Sequence, residues 1–125
     1  MSTAVRQVLN IEAVKGNLDF GPWEFHTNDI YTEFFGSEIQ IAATTLAQII
    51  GGSGPAFTAI TEIEYLFIRA DQAIQIGLHG VNGQTSGFAL DAYQTLQIGR
   101  GSINALNIYN TASSTANVII AIGGS

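Results

Sequence analysis

Hydrophobic and polar positions alternate along most of this chain. Ile74, Ile76 and Leu78 alternate with Gln75, Gly77 and His79, and Phe88, Leu90 and Ala92 with Ala89, Asp91 and Tyr93. Leu96 and Ile98 alternate with Thr95 and Gln97, and Val118, Ile120 and Ile122 with Asn117, Ile119 and Ala121. Successive strand residues point to opposite sides, so each set marks one buried face. Turn residues separate the runs at Ala70-Asp71-Gln72, Gly80-Val81-Asn82-Gly83, Gly99-Arg100-Gly101-Ser102 and 110–115. Short strands at about 8–12-residue spacing, with turn signals between them, predict an all-β chain folded as an antiparallel β-sandwich.

The first half is less regular. Val5 to Val14 alternates through Val5, Leu9 and Ile11, and Glu38 to Ala43 through Ile39 and Ile41. Asn17 to Asn28 carries Gly21-Pro22 among Phe20, Trp23 and Phe25, and reads as a loop leading into a strand, with its aromatics packed inward. Ile30 to Phe35 fits another strand. Ala42–Ile50 suits either a strand or a short helix ended by Gly51-Gly52; tandem threonines favour the strand. Gly51-Gly52-Ser53-Gly54-Pro55 reads as a flexible loop within one domain spanning 1–125, too short to link two.

Charge changes the picture. Gln72 to Ser125 holds one acidic side chain, Asp91, and one basic one, Arg100; the other twelve charged residues precede Gln72. Charged residues make up 11% of the chain, against roughly a quarter in ordinary soluble domains. A β-protein whose outer faces meet other protein suits this composition, because neutral amides lose less than ions do on leaving water. Gln75, Gln97, Asn104, Asn107 and Asn117 are read as outward residues of such faces, available to an interface between copies. Identical surfaces meet in a symmetric oligomer, where like charges repel, so a homotrimer or similar ring fits. The net charge of −6 argues against a nucleic-acid partner and against an anionic membrane surface.

Few chemical signals stand out. No cysteine is present, which excludes disulfides and thiolate metal sites. The start of the chain lacks a basic then apolar pattern, and no apolar run approaches the ~20 residues of a membrane span, so a soluble protein made in a cytoplasm is expected. His26, Asp29 and Glu33 form at most a sparse metal set, and no cofactor is expected. Glu62 and Glu64 share a strand face about 7 Å apart. That resembles a glycosidase carboxylate pair, but a solvated face explains it better. No nucleophile elbow occurs, and Gly99-Arg100-Gly101 lacks the rest of a phosphate loop. No enzyme is expected. Arg69 and Asp71 are read as a local ion pair, and Arg100 as a turn residue free to reach a partner.

The concentrated apolar feature is Phe20, Trp23, Phe25, Tyr31, Phe34 and Phe35. Core packing is the plain reading. The functional one makes 1–36 a docking arm, with Phe20, Trp23, Phe25 and Phe35 as partner-binding anchors, since large aromatics dominate interface energetics.

The segments EIEYLFIRADQAIQIGLHG, GFALDAYQTLQIG and INALNIYNTASSTANVIIAIGG resemble those of small virion proteins of tailed bacteriophages. The likeness rests on Ile63, Leu66, Ile68, Ala70 and Asp71, then on Leu106, Ile108, Asn110, Ser113, Ala116, Val118 and Ile120, and covers about half the chain. It implies a sandwich of jelly-roll kind acting as a capsid cement (decoration) protein. Such a protein is a trimer in the virion that bridges major capsid subunits and carries no catalytic residue. A tail, neck or baseplate component and a carbohydrate-binding sandwich module are the alternatives.

Overall fold

The computed structural model describes residues 3–15, 18–51, 59–99 and 101–125. Ten strands run in order: β1 (Thr3–Lys15), β2 (Leu18–Tyr31), β3 (Glu33–Ile41), β4 (Leu46–Ile50), β5 (Ile63–Ala70), β6 (Ile74–Leu78), β7 (Phe88–Leu90), β8 (Thr95–Ile98), β9 (Leu106–Asn110) and β10 (Ala116–Gly124). One short helical turn, α1 (Gly83–Ser86), lies between β6 and β7. The chain is all-β, as the alternation predicts.

Two four-stranded antiparallel sheets form the body, in the orders β3-β10-β5-β8 and β4-β9-β6-β7. From β3 onward every link passes from one sheet to the other, except the one between β6 and β7. Strands early in the chain thus pair with the last two: β3 with β10, and β4 with β9. β1 and β2 form a separate two-stranded ribbon.

The sheets face each other across an aliphatic core. β5 contributes Ile63, Leu66 and Ile68, and β10 contributes Val118, Ile120 and Ile122. The opposing sheet supplies Ile74 and Ile76 from β6 and Leu106 and Ile108 from β9. All ten are essentially inaccessible to water. β-branched side chains suit this setting, because they are stiff at χ1 and pack well on a pleated surface. β10 is flanked on both sides by β3 and β5, so the apolar terminal run has no open edge along which to aggregate.

Several expectations are corrected. Leu18–Tyr31 is one long strand, where the sequence predicts a loop leading into a strand over Asn17 to Asn28. Glycine and proline there coincide with a register shift, at which Ile11 pairs with Trp23 but Ala13 pairs with Phe20. Phe88 is 42% exposed although it falls on the inward register opposite Ile76. It sits on β7, a three-residue strand at the edge of its sheet, with no further strand to cover it. The stretch Ala42–Ile50 resolves to strand from Leu46. The Gly51–Pro55 loop lies, from residue 52 onward, outside the described residues.

Two buried asparagines tie loops to the sheets. Asn110 is fully buried on β9. Its amide nitrogen donates to the carbonyls of Ile41 (3.0 Å), Ala42 (3.2 Å) and Ser114 (2.8 Å), and its oxygen accepts from the Ala112 amide (2.9 Å). One side chain therefore satisfies the end of β3 and the turn leading to β10. Asn110→Ala is expected to leave those buried groups unpaired and to destabilise the fold by about 2–4 kcal/mol. Urea unfolding checks this as a lower midpoint at unchanged slope.

Candidate functional site

The outer face of the β3-β10-β5-β8 sheet carries the richest surface chemistry among the described residues. Its rows follow from register. Glu38 on β3 pairs with Ile119 on β10, Ile119 with Arg69 on β5, and Arg69 with Thr95 on β8. The next row runs Gly36, Ala121, Phe67 and Gln97, and the one after it places Phe34 and Tyr65 on either side of Gly123.

The ribbon root covers the Gly123 row. Tyr31 is buried, and its ring lies 6.3 Å from that of Tyr65. A Cβ at Gly123 would sit 2.6 Å from the Tyr31 ring, so only glycine admits this contact. Farther along the ribbon, Gln97 on edge strand β8 donates to Gln7 (2.9 Å). Burial pushes the Tyr65 phenol above its usual pKa, and a hydrogen bond with Gln97 partly offsets this.

The Glu38–Arg69 row is left open, as a depression of about 270 Å³ lined by Glu38, Arg69, Asp71, Tyr93, Asn117 and Ile119, with Ala70 at its wall. Asp71 accepts from the Asn117 backbone amide and from its side-chain nitrogen, both at 2.8 Å. The Asn117 oxygen in turn accepts from Gln40 (3.2 Å). The predicted Arg69–Asp71 ion pair is not formed. The Arg69 guanidinium lies 5.7 Å from the centre of the Tyr93 ring and has no carboxylate partner among the described residues. The reason is local: Arg69 points outward from β5, while Asp71 in the following turn is drawn to β10.

Tyr93 is 64% exposed and adopts φ = 66°, a region non-glycine residues seldom occupy. Its amide donates to the Ala70 carbonyl (2.7 Å), and its turn is closed by Gln94 donating to the Asp91 carbonyl (3.0 Å). These bonds hold the ring at the rim of the depression. Sequence reading gave Tyr93 only a place in an alternating strand. The signal it missed was the Asp91-Ala92-Tyr93-Gln94 turn.

The expected interface residues scatter. Asn107 is buried, not outward: its oxygen accepts from Gly83 (2.7 Å) and its nitrogen donates to the Val81 carbonyl (2.8 Å). The 79–87 segment folds over the outer face of β6 and β9 and covers it. A Cβ at Gly77 would collide with the Val81 carbonyl there. Gln75 is half-buried beneath the same segment; with its nitrogen facing them, it donates to the carbonyls of Gly83 (2.8 Å) and Gln84 (3.2 Å). Asn117 belongs to the depression, and Gln97 to the ribbon contact. Asn104 is exposed with no side-chain hydrogen bond among the described residues.

The expected docking residues also divide. Phe35 packs against the core, and it is Phe34 that is exposed, at 38%. The side chains of Phe20, Trp23 and Phe25 lie outside those described, as does Arg100 altogether. The ribbon register nonetheless places Leu9 opposite Phe25, Ile11 opposite Trp23 and Ala13 opposite Phe20. His26 and Asp29 of the sparse metal set have undescribed side chains. Glu62 lies just before β5 and accepts from Ser102 (2.8 Å), so it does not share a strand face with Glu64.

The Asp71 contacts give a pH dependence. Hydrogen bonds from the Asn117 backbone and side chain hold the Asp71 carboxyl below the usual aspartate range. The folded pKa is thus lower than the unfolded one, about 3.9. The stabilisation is complete above the unfolded value and is lost as pH falls through the folded one. Thermal unfolding between pH 6 and about 2 is expected to show a shallower acid decline for Asp71→Asn than for the parent. Compared with models of known families, with curated proteins and with solved structures, the chain matches none.

Proposed function

We propose that this chain is a structural virion protein of a tailed bacteriophage: a capsid cement that forms a homotrimer, resides in the virion and bridges major capsid subunits. The observation that carries the reading is topological. A jelly roll winds eight antiparallel strands as two Greek keys into two four-stranded sheets. The order β3-β10-β5-β8 against β4-β9-β6-β7, with the last of these eight strands beside the first of them, fits that winding. The sequence likeness supplies the virion context, and the charge-poor second half favours contact with other protein over open water.

The ribbon suits the docking role. Its strands of 13 and 14 residues reach about 45 Å at roughly 3.4 Å per residue. A two-stranded ribbon is marginal alone and gains from packing against something else. Its root is held by Tyr31 and Gln7, and the Gln7 contact lies on the edge strand of the sheet. In this reading the aromatic positions of the ribbon, which follow the root in register, supply the contact with the shell. Attachment sums many modest contacts per trimer through avidity, and no catalytic step belongs to this role.

Native mass spectrometry of the purified protein is expected to give a three-chain species. Trp23→Ala is expected to keep that mass and to weaken binding to expanded capsids by about 2 kcal/mol per site, roughly 30-fold. Unchanged capsid occupancy rejects the arm. Absence of the protein from particles in stoichiometric ratio to the major capsid protein rejects the cement role.

A further inference from the structure

We propose that the depression on the outer face of the β3-β10-β5-β8 sheet is a binding site for a neutral saccharide, with Tyr93 as its stacking platform. This goes beyond the cement reading and does not depend on it. Three independent features converge there. Tyr93 is held in a strained left-handed conformation by the bond from its amide to Ala70, and the result is an aromatic ring presented to solvent. Backbone strain of this kind persists where surrounding structure over-determines it, often at ligand sites. Arg69 lies over one face of the ring, 5.7 Å from its centre, and the ring stays 64% exposed; the Arg69 guanidinium donors enter no ion pair among the described residues. Asp71 is fixed by two bonds from Asn117, so a carboxylate with spare acceptor capacity is already oriented.

The chemistry selects the ligand class. The site pairs two apolar surfaces, Tyr93 and the 48% exposed Ile119, with placed donors and acceptors. Small-molecule sites have this make-up: apolar lining with a few oriented polar groups. A pyranose has a matching apolar C–H face and a rim of hydroxyls, each able to donate to Glu38 or Asp71 and to accept from Arg69. Glu38 and Asp71 against Arg69 leave the site one charge negative, which disfavours phosphates, nucleic acids and acidic sugars. The volume of about 270 Å³ has room for one sugar unit.

Saturation-transfer NMR on the full chain with glucose, galactose, mannose and N-acetylglucosamine tests the site. At least one is expected to receive transfer, with weak, millimolar affinity. Tyr93→Gly is the decisive variant. It removes the ring and relieves the positive φ, so the protein is expected to keep its thermal midpoint while losing binding at least tenfold. Val81→Ser, in the loop over the opposite sheet, is expected to bind as the parent does. Glucose 6-phosphate is expected to respond more weakly than glucose. No transfer from any of the four sugars overturns the proposal, as does binding that survives Tyr93→Gly. A response to glucose 6-phosphate equal to or above that of the best neutral sugar overturns the assigned ligand class.

Discussion

Burial of the aliphatic side of β10 between its two neighbours and the opposing sheet is the constraint on which the rest of the structure depends. Val118, Ile120 and Ile122 lose all contact with water, and each such side chain contributes roughly 1.5–3 kcal/mol relative to exposure. The strand brings that contribution only when β3 and β5 pair with it on both sides. β3 is distant from β10 in sequence, so the sandwich closes only when segments far apart in the chain meet. A strand so apolar on a free edge would template aggregation. Placing it inside the sheet supplies the core and removes the hazard.

Close packing of loops over the sheets then rests on amides. Asn110 and Asn107 both lie on β9, on opposite faces, and each spends donors and acceptors on loop backbone. Buried carbonyls and N–H groups need partners, and a neutral amide supplies both kinds without the desolvation penalty of an ion. Much of the neutral polar content that reads as an assembly surface in the sequence is therefore spent inside the monomer. Of the five expected interface residues, Asn104 alone stays exposed with no side-chain hydrogen bond among the described residues, and Asn117 lines the depression beside Tyr93.

That depression shows how an outer sheet face acquires a site. Cross-strand pairing sets Glu38, Ile119 and Arg69 side by side, although they come from three separate parts of the chain. Asn117 fixes Asp71 from the neighbouring strand, and the Asp91–Gln94 turn brings Tyr93 to the rim. The ribbon root covers the Gly123 row and leaves this one open. The same face thus carries a closed contact at one end and a recess at the other.

Period-two alternation in the sequence was enough to identify β6, β8 and β10, their inward sides and the all-β class, because facing within a strand is a local property of the backbone. Phe35 is in phase with Ile39 and Ile41, but the break between the runs at 30–35 and 38–43 hid that they form one strand, and nothing local told Asn107 from Asn104 before the 79–87 segment covered one of them. Alternation also read Phe88 as core, because it says which side a residue takes but not whether another strand lies beyond it. Those outcomes, with the strand order, the loop laid over Asn107 and the grouping of Arg69, Asp71 and Tyr93, were decided by pairing between residues far apart in the chain. Such pairing is fixed by which surfaces bury one another, and only the folded structure contains that information.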